Sequence, residues 1–358
     1  DGNGWSAQRG PQQPTSPQKG KSSFAGRNGV RAPTGQPRSS RANPCALRQS
    51  TGSRSTWNRS KVQHATIARC ASRAAVERTG TAMSQSHESV DPNSVPLRPA
   101  STVMLVRDAP HDIEVFMLQR TTSAVFASGM YVFPGGRVDD VDSASELDEL
   151  CDGMTDAQAS ELLRVPSGGL AFWVAAIREC FEEAGVLLAR DESGQYVSLT
   201  DPDSQSRFSE LRHEVHEGTL SLAELCRREH LRLAVDSIRY VSHWITPVGE
   251  KRRFDTRFFV AVAPSSQEPL HDDKETIASL WISPNDALSR AKRGDLAMIP
   301  PTIANLEFLA PHRSSVTAVD AARRIGVPTP ILPKLKFDAD GRVTGIVFPD
   351  DPQYATMP

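Results

Sequence analysis

The chain has 358 residues, a formal net charge of −2 and 38% hydrophobic residues, which allows one large or two ordinary folded domains. Its longest apolar run, Gly169 to Ile177, is far shorter than the ~18 residues a membrane span needs, so no transmembrane helix and no membrane partner are expected. The near-neutral total hides an asymmetry: residues 1–82 hold 14 of the 41 Lys and Arg against two acids, Asp1 and Glu77, so this head carries +12 and the remainder −14.

The head is rich in Ser, Gly, Pro, Gln and Arg and poor in periodic apolar residues. Such a segment buries too little surface to offset ordering entropy and is expected to be disordered. An Arg- and Ser-rich, acid-poor leader suits organelle transit, and a basic tail suits contact with nucleic acid or membrane. The favoured reading is a third, that the head is foreign to the native protein, since the first methionine is Met83. Arginines without interleaved aromatics argue against nucleic acid. Residues 1–97 are therefore read as head and linker, and 98–358 as the folded domain.

The first elements of that domain are two strands, Ser101 to Arg107 and Ile113 to Gln119, joined by a turn at Asp108 to His111. Tyr131 to Phe133 reads as an apolar strand ending in Pro134-Gly135-Gly136, where two glycines let the backbone approach a ligand or leave carbonyls free for a metal. Ala144 to Leu150 and Asp156 to Leu163 read as helical segments. Next comes a helix with Leu170, Val174, Ile177, Phe181, Ala184 and Leu188 on one stripe, Ser167 as its N-cap and Gly185 as its left-handed end. Leu199 to His230 reads as two amphipathic helices, Tyr240 to Thr246 and Arg257 to Val262 as an antiparallel pair, Trp281 to Ser283 as a short strand and Asn285 to Ala291 as a helix. Beyond it, Pro301 to Leu309 and Ser315 to Arg324 read as helices, and Lys334 to Phe337 with Arg342 to Phe348 as a hairpin. The order fits an α/β fold, helices around a mixed sheet, with a C-terminal extension from about residue 300.

Within the striped helix, Glu179, Glu182 and Glu183 fall on one arc of about 100°. Three adjacent like charges repel, and their hard oxygens suit Mg²⁺ or Mn²⁺ better than zinc. Five cysteines, Cys45, Cys70, Cys151, Cys180 and Cys226, show no metal spacing and fit reduced thiols.

Phe133-Pro134-Gly135-Gly136 followed by Arg178-Glu179-Cys180-Phe181-Glu182-Glu183-Ala184-Gly185-Val186 resembles the Nudix hydrolase signature, G-x5-E-x7-R-E-U-x-E-E-x-G-U with U aliphatic. Counting from Gly136 puts Asp142 at the first Glu of the signature, and 35 residues instead of seven then separate it from Arg178. An insertion at about 143–169 splits the box. The split box, with Gln119 to Asp139, His243 to Ala261 and Pro300 to Thr302, resembles the peroxisomal coenzyme A diphosphatase type of Nudix protein from about residue 98 onward.

That resemblance implies a Nudix-like α/β/α sandwich and a metal-dependent hydrolase that cleaves the diphosphate of a nucleotide-linked small molecule. Coenzyme A or acyl-coenzyme A would give 3′,5′-ADP and 4′-phosphopantetheine or its acyl form. The alternatives are ADP-ribose or a dinucleotide as substrate, or a non-catalytic Nudix-fold binding module, which the three intact glutamates disfavour. Glu182 and Glu183 are expected as main ligands of Mg²⁺ or Mn²⁺, with Glu179 as a further ligand or base, Gly136 at the metal, and Arg178 orienting a carboxylate through a bidentate contact. Glu275 is the candidate carboxylate from a distant loop, with Asp272 and Asp273 as rivals. Arg120, Arg257 and Gly135 are candidates for phosphate contact, Phe126 and Tyr131 for flanking a base, and His243 for a core or cleft position. The closing residues Tyr354 to Pro358 lack an S-K-L type signal, so the expected compartment is the cytoplasm.

Overall fold

The computed structural model describes residues 95–357 apart from 123, 125, 126, 273 and 274. The basic head with Met83, Cys45 and Cys70, together with Phe126 and Asp273, lies outside the described residues.

Strand β1 (Leu97–Asp108) turns into β2 (Ile113–Arg120), antiparallel with Val106 opposite Val115, as their β-branched, alternating sequences predict. β3 (Tyr131–Val132) and β4 (Gly135–Arg137) follow. The inserted segment holds two 3-10 turns, Asp140–Ser143 and Ser145–Leu150, and helix α1 (Asp156–Leu163). The segment at 144–150, read above as helical, thus closes only 3-10 turns. Helix α2 (Leu170–Ala184) carries the acidic triplet. β5 (Ala189–Arg190), α3 (Pro202–His216), α4 (Leu222–Arg228) and β6 (Arg232–Leu233) lead to β7 (Arg239–Ile245) and β8 (Arg253–Val262). β9 (Thr276–Ile282) is longer than the strand expected at 281–283. The chain closes through α5 (Pro284–Arg293), α6 (Pro300–Leu309), α7 (Ser315–Arg323), β10 (Pro330–Ile331), β11 (Lys334–Phe337) and β12 (Val343–Val347).

The main sheet is mixed and eight-stranded, in the order β10-β7-β8-β1-β2-β3, with β4 on β1 and β9 on β2. Side chains alternate across it. Val103, Leu105, Phe116 and Phe259 face α2, where Trp173, Ile177 and Phe181 are buried against them; the Trp173 and Phe259 rings lie 4.7 Å apart. Met104, Val106, Val115 and Val260 face the opposite layer, with Leu306 and Leu309 of α6 and Ala318 of α7. Each large side chain so buried stabilises the sandwich by about 1.5–3 kcal/mol. Helices α6 and α7 therefore belong, with α5, to one of its two helical layers, and β10 extends the sheet beside β7.

The start of α2 differs from expectation. Its N-cap is Gly169, which has no capping side chain, and Ser167 is not in that position. The insertion supplies the cap: Asp156 accepts from the Gly168 and Leu170 amides at 3.0 and 2.9 Å, and the Ser160 hydroxyl accepts from the Gly169 amide at 2.9 Å. Gly185 ends the helix at φ +68°, as expected.

Candidate metal and diphosphate site

The glycine turn and the acidic helix meet at the N-terminal half of β1. There β4 pairs with β1, Gly135 opposite Thr102 and Gly136 opposite Ser101, while α2 crosses behind. A side chain at either glycine would collide with its surroundings. A Cβ on Gly136 would sit 2.4 Å from Glu179 Oε1, and one on Gly135 would sit 2.4 Å from the Ser101 carbonyl oxygen. The Gly135 amide donates to Glu183 Oε2 at 2.9 Å. Two missing side chains thus let two carboxylates reach the turn.

A cleft of about 790 Å³ opens over this junction. Arg120, Gly135, Gly136, Glu179, Glu183 and Glu275 line its polar end; Trp244, Phe254, Phe258, Pro300, Leu335 and Ile346 line the rest. Arg120 lies between two acids, 3.8 Å from Glu183 and 3.5 Å from Glu275, and its Nε is buried without a hydrogen-bond partner. Asp272, the rival to Glu275, is spent on the local chain, accepting from the Glu275 and Thr276 amides and the Thr276 hydroxyl.

Arg178 is buried and holds the halves of the split box together. It grips Asp142 with Nε and Nη2, donates through Nη1 to Glu179 at 3.0 Å and Glu182 at 3.1 Å, and through Nη2 to the Arg137 carbonyl at 2.8 Å. Burial works against its charge, but the Asp142 hydrogen bond and the neighbouring Glu179 more than reverse that, so its guanidinium is held ionised.

The glutamates are short of positive charge. Burial, only partly opposed by Arg178 and reinforced by Glu182, pushes the Glu179 carboxyl up to about 8. Burial and then the negative charge of Glu179 push Glu183 well above the usual carboxylate range, against the Gly135 amide. Glu182 is raised by burial too, with Arg178 opposing.

The structure brings Glu179, Glu183, Glu275, Arg120, Gly135 and Gly136 to one cleft and leaves Arg178, Glu182, Arg257 and Tyr131 outside its wall. Glu182 is one helix position from Glu183, and its carboxylate is taken up by Arg178 and, at 3.6 Å, by His216; Glu179 and Glu183, four apart, share the face that meets the turn. Arg257, expected at phosphate, is turned away by strand parity: β8 gives Phe254, Thr256 and Phe258 to the cleft, so its neighbour points to the other face. It is buried there over the Phe172 ring, bonded to Asp255 and His243. His243 is accordingly a core histidine paired with Asp255. Tyr131 donates to Gln119 and does not line the cleft.

Sequence reasoning missed Arg98 and Arg252, which also line the cleft, and the apolar wall of Trp244, Phe254 and Phe258. The alternation along β8 was the signal for that wall.

The donors suit a hard divalent cation: they are carboxylate oxygens, buried, with more negative than positive charge. Among the described residues no group of three or more His, Cys, Asp or Glu forms a ready metal cage.

The profile of the NUDT19 Nudix domain matches residues 154–309. A Nudix hydrolase of Alicyclobacillus acidocaldarius superposes with a TM-score of 0.51 at 28% identity, covering 63% of this chain and 97% of its own. Over this span the chain is similar to Nudix proteins. Among similar Nudix proteins is acyl-coenzyme A diphosphatase NUDT19 of Gallus gallus, 29% identical over 316 residues, 72% of this chain and 81% of that protein. The Xenopus laevis protein of the same name is 29% identical over 229 residues, 55% of this chain and 60% of its own length. In this chain the split box is closed in space by the Arg178–Asp142 pair.

Proposed function

We propose that this protein is a metal-dependent Nudix diphosphatase acting on coenzyme A or its acyl derivatives, giving 3′,5′-ADP and 4′-phosphopantetheine or the acylated form. The observation that carries this reading is the convergence of Glu179, Glu183 and the Gly135-Gly136 turn on one cleft. The chicken and frog relatives named acyl-coenzyme A diphosphatase support the choice of substrate.

Glu179 and Glu183 would hold Mg²⁺ or Mn²⁺ from the helix, Glu275 from the opposite wall and the Gly136 carbonyl from the turn; Glu182 would join them in one charge network through Arg178. The ion, when bound, neutralises charge on two adjacent phosphates and lowers the pKa of a bound water. Arg120, beside Glu183 and Glu275, would turn its unpartnered Nε–H toward a phosphate oxygen. Gly135 and Gly136 leave room for the diphosphate against the backbone, and Arg178 keeps Glu179 in position without reaching the cleft. The apolar wall would take the pantetheine or acyl portion. A cytoplasmic location is proposed on the buried, free thiols of Cys151, Cys180 and Cys226.

A panel of coenzyme A, an acyl-coenzyme A, ADP-ribose and a diadenosine polyphosphate, assayed with Mg²⁺, Mn²⁺ or EDTA, tests this. The reading expects ion-dependent release of 3′,5′-ADP from the coenzyme A substrates at the highest kcat/KM. Equal or faster cleavage of ADP-ribose would transfer the assignment to a different Nudix substrate.

A further inference from the structure

We infer that Arg98 and Arg252 form a second anion subsite in the cleft, receiving the phosphate on the ribose of a 3′-phosphorylated nucleotide. The inference rests on the coenzyme A reading above and adds how that ligand is told from an unphosphorylated one. β1 and β8 run parallel with Arg98 opposite Phe254, and side chains alternate along each strand. Arg98, Ala100 and Thr102 therefore share the cleft wall with Arg252, Phe254 and Thr256. Two guanidiniums, one on β1 and one in the bend just before β8, face the same space.

Their freedom sets them apart from the cleft's other arginines. Arg120 is engaged by Glu183 and Glu275, and Arg137 by Asp139 at 3.4 Å. Arg98 and Arg252 have no ion-pair partner among the described residues, and both are exposed. Arg98 lies four positions along β1 from Thr102, which pairs with Gly135, about 13 Å of extended strand. The diphosphate end and this basic end are thus separated by a distance comparable with a nucleoside, and the wall between them offers Phe254 and Phe258 to a base. Glu250 also lines the cleft; burial holds its carboxyl above the usual range, which weakens its opposition to an anion. Planar guanidiniums bind phosphate through paired hydrogen bonds.

The test compares binding of 3′,5′-ADP and 5′-AMP to the full chain by calorimetry, in wild type, Arg98→Ala, Arg252→Ala and the double variant. Hydrolysis of coenzyme A and 3′-dephospho-coenzyme A is followed in parallel. Wild type is expected to bind the bisphosphate about tenfold or more tightly, the worth of one charge-assisted contact, and the double variant to bind both alike. KM for coenzyme A rises in the double variant while kcat holds, and the unfolding midpoint stays put. Equal binding of the two nucleotides by wild type, or a preference that survives in the double variant, overturns the inference. If wild type prefers the bisphosphate through these arginines yet cleaves neither coenzyme, the subsite stands and the coenzyme A reading fails.

Discussion

Arg178 and Asp142 form a two-pronged ion pair, Nε to Oδ1 at 2.8 Å and Nη2 to Oδ2 at 2.9 Å, although 36 positions separate them in the chain. The contact spans the insertion, so the loop-out leaves the two halves of the box in register. Both partners are buried. Removing one partner of a buried pair leaves an uncompensated charge, which costs about 3–5 kcal/mol. Asp142→Asn is expected to lower stability by about 3 kcal/mol, read by urea unfolding, and to lower turnover as Glu179 loses its anchored neighbour.

Gly135 and Gly136 separate stability from activity. A methyl on Gly135 meets the backbone of Ser101 and Thr102, which cannot yield, whereas one on Gly136 meets the carboxylate end of Glu179. Gly135→Ala is expected to destabilise the fold by about 2 kcal/mol or more, the scale of overpacking. Gly136→Ala is expected to fold with a nearly unchanged midpoint but lose about a hundredfold in kcat, as happens when a positioned group is displaced by an ångström.

Asp156 and Ser160 tie the insertion to the first turn of α2. Asp156→Ala removes acceptors from the Gly168 and Leu170 amides and is expected to cost about 1–2 kcal/mol. Amide exchange at residues 168–172 should accelerate while the acidic end of the helix keeps its protection.

Much of this was legible from spacing. The 3.6-residue stripe located α2, and alternating β-branched residues located β1, β2, β7 and β8, because local periodicity follows directly from which face is buried. The meeting of the glycine turn with the acidic helix followed from the resemblance to the signature, whereas the choice of Glu179 as the residue against Gly136 came only with the fold. The positions that escaped are set by tertiary geometry. Arg257 sits on the wrong face for phosphate because strand parity relative to the cleft is invisible without the sheet; Ser167 lost the capping role to Asp156, a residue of another helix; and Glu182 is held apart from the cleft by Arg178 and His216. Arg98 lies in a segment with no motif, and only its register against β8 brings it to the cleft.

Asp255 provides a pH dependence away from the acidic cluster. Burial raises its carboxyl, but the His243 hydrogen bond and Arg257 outweigh that and hold it below the usual range. A depressed carboxylate contributes stability above its ordinary value and loses it as pH falls through the depressed one. Wild type should therefore exceed Asp255→Asn by about 3 kcal/mol near pH 7. The gap should narrow as the pH falls below about 4, which unfolding curves across that window would show.

The central claim is that the glycine turn and the buried glutamates form one hydrolytic site. It is tested most directly by kcat/KM for coenzyme A with Mg²⁺ in wild type and Glu179→Gln, the unfolding midpoint serving as the control for folding. The expected result is release of 3′,5′-ADP by wild type and a loss of about a thousandfold, or about 4 kcal/mol, in the variant at an undiminished midpoint. A variant that turns over coenzyme A as fast as wild type would contradict the account.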